Sequence, residues 1–177
     1  MKTKDLKYKV RAVAVADLDK LYNMLLDLVK HEGLYERFKL TRERLESELF
    51  ANNADWNCLV AADNQDILLG FCLYTFANIN RAFNLSPMIQ VDDLYISPLY
   101  RGAEIGQNLL YHLALIAESK NIGRLNIWCV KDNESGQNFY SKIGAEKRDF
   151  IDVFSIQVDK LLELRPNDST FLSDHGN

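Results

Sequence analysis

Residues 91–110 constrain the fold of this chain more than any other stretch. An apolar run ends at Ile96, Ser97-Pro98 forms a turn, and Arg101-Gly102 opens an amphipathic helix. The first N–H groups of a helix have no partner within it, and the helix dipole is positive at this end. A small-residue loop between a strand and a helix therefore predicts a binding site for a phosphate group.

Two carboxylates, Asp92 and Asp93, lie just upstream on the same predicted strand. Successive residues of a strand point to opposite faces, so only one of the pair is expected to meet a substrate. An anion site beside two acids indicates an enzyme that holds a phosphate-bearing cofactor and acts on a cation.

Composition narrows the class of protein. With 177 residues, 47% of them hydrophobic, the chain can bury one core, so we expect a single domain over 1–177 with a frayed tail from about residue 166. A net charge of −4 without a basic cluster argues against nucleic-acid binding. The N-terminus lacks an apolar signal-peptide core, and no apolar run approaches the roughly 20 residues that span a membrane.

Cysteine and histidine usage indicates a metal-free protein of a reducing compartment. Cys58, Cys72 and Cys129 stand in separate apolar runs and are expected to be buried free thiols in the cytoplasm. The histidines show no metal-ligand spacing with one another or with the cysteines.

The order of predicted elements indicates a mixed α/β fold. The predicted strands lie at 7–14, 56–62, 67–76, 88–96 and 124–130, with two closing strands near 146–158, and the predicted helices lie at 16–32, 41–52, 102–120 and 135–142. The opening half is therefore largely antiparallel, whereas the crossover helix makes the strands around 91 and 124 parallel. Ligands of such sheets bind at the carboxyl ends of strands, where the loop 97–106 falls. Trp56 and Trp128 lie in strand-like runs and are expected in the core.

Two motifs make the chain similar to a known family. Arg101-Gly-Ala-Glu-Ile-Gly106 resembles the Arg/Gln-x-x-Gly-x-Gly/Ala pyrophosphate loop of the GCN5-related N-acetyltransferases (GNAT). Asn133–Ala145 resembles their second signature, Asn-x-x-Ala-x-x-Phe-Tyr-x-x-x-Gly-Ala/Phe. The resemblance implies the GNAT fold, a mixed, mostly antiparallel sheet of about seven strands flanked by about four helices, with a parallel βαβα unit that binds CoA.

The resemblance also implies acetyl-CoA as co-substrate and no metal. The implied cofactor-binding residues are Leu94, Tyr95, Ile96, Arg101, Gly102, Ala103, Glu104, Ile105, Gly106, Asn133 and Tyr140. Glu104 is a departure, because the family usually places Gly there, close to the diphosphate. A carboxylate pointing inward would repel the diphosphate and weaken CoA binding. We expect Glu104 to point outward, since helix N-termini accept Glu well.

The closer resemblance is to the diamine (spermidine/spermine) and thialysine acetyltransferases. It rests on Leu28–Gly33 at the end of the first helix, on the hairpin segments Trp56–Ala61 and Gly70–Tyr74, and on Asp92–Ser97. The loop between Phe76 and Met88 matches less well, because it lacks the tryptophan of that branch.

This branch implies a role for each acid near the site. Glu32, Asp92 and Asp93 would form an acidic groove for a cationic acceptor. An alkyl amine has a pKa near 10.4, so a base must remove its proton before attack. Asp92 is the candidate base, acting directly or through a water, since it is one methylene shorter than the Glu of that branch. Tyr140 is expected to protonate the departing thiolate, and a backbone N–H of Leu94–Ile96 to meet the oxyanion.

Three functions stay open. The first is an acetyl-CoA-dependent N-acetyltransferase in which the amine of a polyamine or lysine-like small molecule attacks directly in a ternary complex. The second keeps the chemistry but acts on a protein or aminoglycoside amine. The third is a non-catalytic acyl-CoA-binding regulatory module, which Glu104 makes worth considering. A dinucleotide-binding Rossmann protein is disfavoured, because no G-x-G-x-x-G follows the first strand.

A homodimer is the expected assembly. The family commonly dimerises by pairing edge strands or exchanging C-terminal segments, and residues 150–158 are apolar enough to need covering. The other expected partner is the small-molecule amine, with neither nucleic acid nor membrane.

Overall fold

The computed structural model describes residues 6–77, 87–149 and 155–163. Five strands form one sheet in sequence order: β1 (Tyr8–Ala12), β2 (Trp56–Asp63), β3 (Leu68–Ala77), β4 (Met88–Ile96) and β5 (Leu125–Ile127). Strands β1 to β4 are antiparallel to their neighbours, and β5 is parallel to β4. The mixed, mostly antiparallel sheet with a parallel unit at one edge confirms the predicted fold class.

Helices cover both faces of this sheet and divide the interior into two cores. They are α1 (Leu18–His31), α2 (Arg42–Phe50), α3 (Ile105–Ser119), α4 (Glu134–Lys142) and a short α5 (Val158–Glu163). On one face, which we call the α1 face, α1 and α2 contribute Leu21 and Leu45 to a core that includes Phe71. On the other, the α3 face, Leu109 packs with Val91. The core residues of α1 recur at helical spacing, which is why the periodicity of the sequence predicts this helix.

Several predicted boundaries need correction. The helix expected from residue 102 begins at Ile105, and the strand expected over 124–130 is the three-residue β5. The described ranges contain five strands rather than seven: 146–149 and 155–157 are not strands, and 150–154 lie outside the description. The loop 78–86 and the tail beyond 163 lie outside it as well.

The two tryptophans lie in different surroundings. Trp56 is partly buried against the core on the α1 face, as expected. Trp128 is not in the core, because 66% of its surface is exposed. The periodicity is misleading here because β5 ends at Ile127, one residue earlier.

The cysteines are all free thiols. Cys58 and Cys72 are buried as expected, whereas Cys129 is only half-buried. Burial raises the pKa of the Cys72 thiol to about 12. Among the described residues, no helix is long and apolar enough to cross a bilayer.

Candidate active site

The strands β4 and β5 separate part-way along their length. They pair only from Ile89 opposite Leu125 to Val91 opposite Ile127. A last hydrogen bond joins the Trp128 N–H to the Val91 carbonyl at 3.3 Å. Beyond it, the second half of β4 has no β5 partner within the described ranges. The result is an opening at the carboxyl ends of the two parallel strands.

Peptide groups of β4 face this opening. The Ser97 N–H donates to the Leu69 carbonyl of β3 at 2.9 Å. The N–H and C=O of one residue point to the same side of a strand, and those of the next residue point to the other side, so those of Tyr95 also point toward β3. The N–H and C=O of Leu94 and of Ile96 point the other way, toward the opening. These two lie in the stretch from which a backbone oxyanion donor is expected.

A β-bulge at Asp92 changes the faces that the acids occupy. Leu73 of β3 lies opposite Asp93 and Tyr74 lies opposite Val91, so Asp92 is an extra residue with no partner on β3. Val91 belongs to the core on the α3 face and Tyr95 to the core on the α1 face, although residues four apart in a regular strand share a face. The alternation reverses at the bulge, and both acids face α1. The expectation that they point to opposite faces is wrong.

The two aspartates lie in a partly desolvated setting. Burial, together with the smaller effects of the charges of Asp92 and Glu32, raises the pKa of Asp93 to about 6. Burial also raises the pKa of Asp92, against which a hydrogen bond from Thr75 acts. The Oδ2 atom of Asp92 is buried and has no hydrogen-bond partner among the described residues. Buried polar atoms are normally satisfied, so this oxygen is available to a ligand donor.

Glu32 completes the acidic group from the end of α1. Burial raises its pKa, while a contact from the Asn133 side chain and the charge of His31 lower it. The Asn133 amide lies 3.5 Å from the Glu32 carboxylate, and its oxygen accepts the Gly136 N–H at 2.9 Å. Asn133 thus begins α4 as its N-cap and connects α4 to the end of α1. The structure therefore brings together the three acids expected to bind a cation.

Tyr140 of α4 lies beside the same group. Its pKa is raised above the ordinary value, chiefly by burial and then by the charges of Cys129, Cys72, Glu32 and Asp93. The ring packs against the core on the α3 face, and so does Phe139, with the two ring centroids 5.3 Å apart. Both residues of this adjacent pair are partly buried.

The loop before α3 lies at the position where the sequence predicts a phosphate site. Gly102 has φ 81°, and nothing lies within 4 Å of the position that a Cβ would take. Glu104 is exposed, directly precedes α3, and adopts the left-handed region at φ 58° without capping the helix through its side chain. This region favours glycine, the residue expected there from the resemblance. The free N–H groups at the start of α3 fit a phosphate group.

Arg101 lies in the same loop, but its side chain turns away from the helix terminus. Its guanidinium lies over the Tyr95 ring at 5.9 Å from the centroid, and its Nε donates to the Ile96 carbonyl at 3.2 Å. Arg101 therefore supports the end of β4 in this structure. Within the described ranges, no group of three or more His, Cys, Asp or Glu side chains could hold a metal ion.

Asp93→Asn is expected to stabilise the protein at alkaline pH. A carboxyl whose pKa rises from 3.8 to about 6 on folding opposes folding once it ionises. The penalty is absent below about pH 4, grows as the pH rises toward 6, and is complete above it. We expect a gain of about 1–3 kcal/mol in the free energy of unfolding at about pH 8 and none near pH 4. Urea denaturation at the two pH values measures this gain.

The exposed Asp55→Asn is the matched control for Asp93→Asn. An equal gain in stability at both pH values for Asp93→Asn would contradict this explanation.

The chain is similar to known proteins in sequence and in fold. A family model described as the acetyltransferase (GNAT) family matches residues 22–145. The mouse thialysine N-epsilon-acetyltransferase is 25% identical over 145 residues, which cover 78% of this chain and 84% of that protein.

Solved structures share the fold. An integron cassette protein from the mobile metagenome of V. cholerae superposes with a TM-score of 0.70 at 24% identity, covering 89% of this chain and 96% of the other. An aminoglycoside acetyltransferase from an uncultured soil metagenomic sample gives 0.66 at 17% identity, covering 85% of this chain and 97% of the other.

Proposed function

Because the chain belongs to the acetyltransferase (GNAT) family, whose members use acetyl-CoA as co-substrate, we propose that it acetylates a small cationic amine. The acceptor is a primary amine of a polyamine or of a thialysine-like or lysine-like molecule. One observation supports this choice above the others. Three carboxylates, those of Glu32, Asp92 and Asp93, meet on one face of the sheet beside the strand opening, and one buried oxygen among them has no hydrogen-bond partner in the part of the chain that the structure describes. A cationic amine supplies both the charge and the N–H donors that this group lacks.

Asp92 acts as the general base in this proposal. Burial raises the pKa of its carboxyl, which makes the carboxylate a stronger base than an exposed one. It takes a proton from the ammonium group, directly or through one water, and the neutral nitrogen then attacks the acetyl carbonyl and releases its second proton to solvent as the amide forms. Asp93 and Glu32 hold the cation by charge while Asp92 receives the proton.

In this proposal, the groups that act on the carbonyl oxygen and on the leaving thiolate lie at the opening between β4 and β5. Acetyl-CoA, when bound, supplies the acetyl group and a thiolate leaving group. Peptide N–H groups of Leu94 and Ile96 face the opening and stabilise negative charge on the carbonyl oxygen. Tyr140, whose pKa is raised, keeps its proton at neutral pH and donates it to the thiolate sulfur. The loop 102–105 receives the diphosphate through backbone N–H groups.

The direct test is release of free thiol from acetyl-CoA with a panel of amines. The panel contains spermidine, spermine, putrescine, thialysine, lysine, an aminoglycoside and a lysine-containing peptide. Turnover with a polyamine or thialysine is the expected result. Turnover restricted to the aminoglycoside or the peptide would support an acetyltransferase but contradict the proposed acceptor. Binding of CoA with no turnover on any amine would favour the non-catalytic module.

Glu104→Gly is expected to tighten acetyl-CoA binding by about 3- to 10-fold. The exposed carboxylate stands at the helix terminus proposed to receive the diphosphate, and its removal eliminates like-charge repulsion. Glycine also adopts φ 58° without strain. Titration calorimetry with CoA measures the change, which should shrink as salt concentration rises. Glu104→Gln, which keeps the backbone strain and loses the charge, separates the two causes. Unchanged affinity in both variants would show that this carboxylate lies away from the diphosphate.

A homodimer is proposed as the assembly. Two apolar side chains of the C-terminal segment, Ile156 at 59% and Val158 at 71%, are exposed, and a partner subunit would cover them. Sedimentation equilibrium of the full chain distinguishes a dimer from a monomer.

A further inference from the structure

Trp128 lies on the same face of the sheet as the acidic group. In β5, Leu125 and Ile127 pack against the core on the α3 face. The next residue along an extended chain turns to the opposite face, which is the α1 face. Trp128 is 66% exposed there and belongs to neither of the two described cores.

The backbone places Trp128 level with Asp92. Ile127 pairs with Val91, and the Trp128 N–H donates to the Val91 carbonyl at 3.3 Å. That carbonyl belongs to the peptide that joins Val91 to Asp92. The indole and the Asp92 carboxylate therefore start from adjacent points on neighbouring strands and face the same way, at the mouth of the opening.

The Trp128 indole and the Asp92 carboxylate are each unfavourably solvated on their own. An exposed indole leaves a large apolar surface in water, and a buried carboxylate oxygen without a donor loses its hydration. An alkylammonium group satisfies both, because its N–H groups donate to the carboxylate while its positive charge and methylene groups lie against the ring.

We propose that Trp128 is the aromatic wall of the acceptor site and contacts the alkylammonium group that Asp92 receives. The inference rests on the proposed function in requiring a small cationic acceptor. It adds a specificity residue, since an aromatic ring next to a carboxylate selects a cation over a neutral amine or alcohol of the same length. Glu32 and Asp93 attract the charge, and Trp128 fixes the position of the chain that carries it.

Steady-state kinetics with spermidine and thialysine test this role. Trp128→Ala is expected to raise the KM of the amine by about 3- to 30-fold, the range of a cation–π contact, while the KM of acetyl-CoA and kcat at saturating amine stay within about twofold. Trp128→Phe should retain most of the affinity. An unchanged amine KM in the alanine variant overturns the proposal, and so does an equal loss of acetyl-CoA binding. Because the side chain is exposed, thermal melting of both variants should match that of the parent protein.

Fluorescence separates failure of this inference from failure of the proposed function. The chain has two tryptophans, so Trp56→Phe leaves Trp128 as the sole indole reporter. Spermidine or thialysine should change its emission, and an uncharged diol of the same chain length should not. An amine-dependent change supports the contact even if no amine is acetylated, in which case only the proposed reaction fails. Emission that is constant at saturating amine, in an enzyme that acetylates it, overturns the contact alone.

Discussion

Asp92→Asn is expected to lower kcat for the acceptor amine by about 10²–10⁴-fold near neutral pH, the usual contribution of a positioned general base. Asparagine keeps the size of the side chain but cannot take the proton of an ammonium group. The deficit should shrink toward pH 10, because an alkyl amine then loses its proton without help. A pH–rate profile of kcat from about pH 5 to 10 measures it. A profile of unchanged shape and height would remove Asp92 from the mechanism.

Thr75→Val changes the surroundings of the Asp92 carboxyl without removing it. The hydrogen bond from Thr75 lowers the pKa of Asp92 and so opposes the effect of burial. Its removal should raise that pKa further and move the acid limb of the profile to higher pH, with little change in the plateau. A base other than Asp92 would leave the acid limb where it is.

Tyr140→Phe is expected to lower kcat by about 10²-fold or more while the affinity for CoA stays within about twofold. Phenylalanine keeps the ring that packs beside Phe139 and against the core on the α3 face, so the main loss is the proton donor. Stopped-flow measurement of thiol release gives the rate, and calorimetry with CoA gives the affinity.

Tyr74→Phe provides the control for this change. Tyr74 is a buried tyrosine of β3 whose pKa is likewise raised, to about 12, so the same atom is removed from a similar setting. Its turnover should remain near that of the parent protein. A parallel fall in CoA affinity for Tyr140→Phe would make Tyr140 a structural residue.

Local patterns predict the parts of the fold that are fixed by neighbouring residues. The bounds of β4, Met88–Ile96, match the predicted strand because turn signals flank an apolar run. Thr41 caps α2 by accepting the Arg44 N–H at 3.1 Å, and Thr is among the residue types that mark a helix start in a sequence. The three acids were also identified from the sequence, since the resemblance placed them in one groove.

The faces of β4 could not be predicted in this way. The extra residue at Asp92 is set by how β3 and β4 pair, and no single-strand pattern records the pairing register. The hydrogen bond from Thr75 to Asp92 depends on the same pairing, so the sequence gives no signal for Thr75.

The start of α3 and the place of Trp128 were missed for related reasons. Helical periodicity continues through the loop before Ile105, although Glu104 takes a left-handed conformation that a propensity argument assigns to Gly or Asn. Trp128 follows an apolar run, and hydrophobicity alone does not show that β5 ends before it.

Because β4 separates from β5, the acids and the loop before α3 lie on different sides of one sheet edge. The loop before α3, proposed to receive the diphosphate, leads into the helix on the α3 face, whereas the bulge places the acids on the α1 face. Under the proposed function, substitutions around α1 would therefore change which amine is accepted and leave the proposed cofactor loop unchanged. If the proposal holds, the acceptor of such a protein can change through substitutions on the α1 face alone, without a change in its acetyl donor.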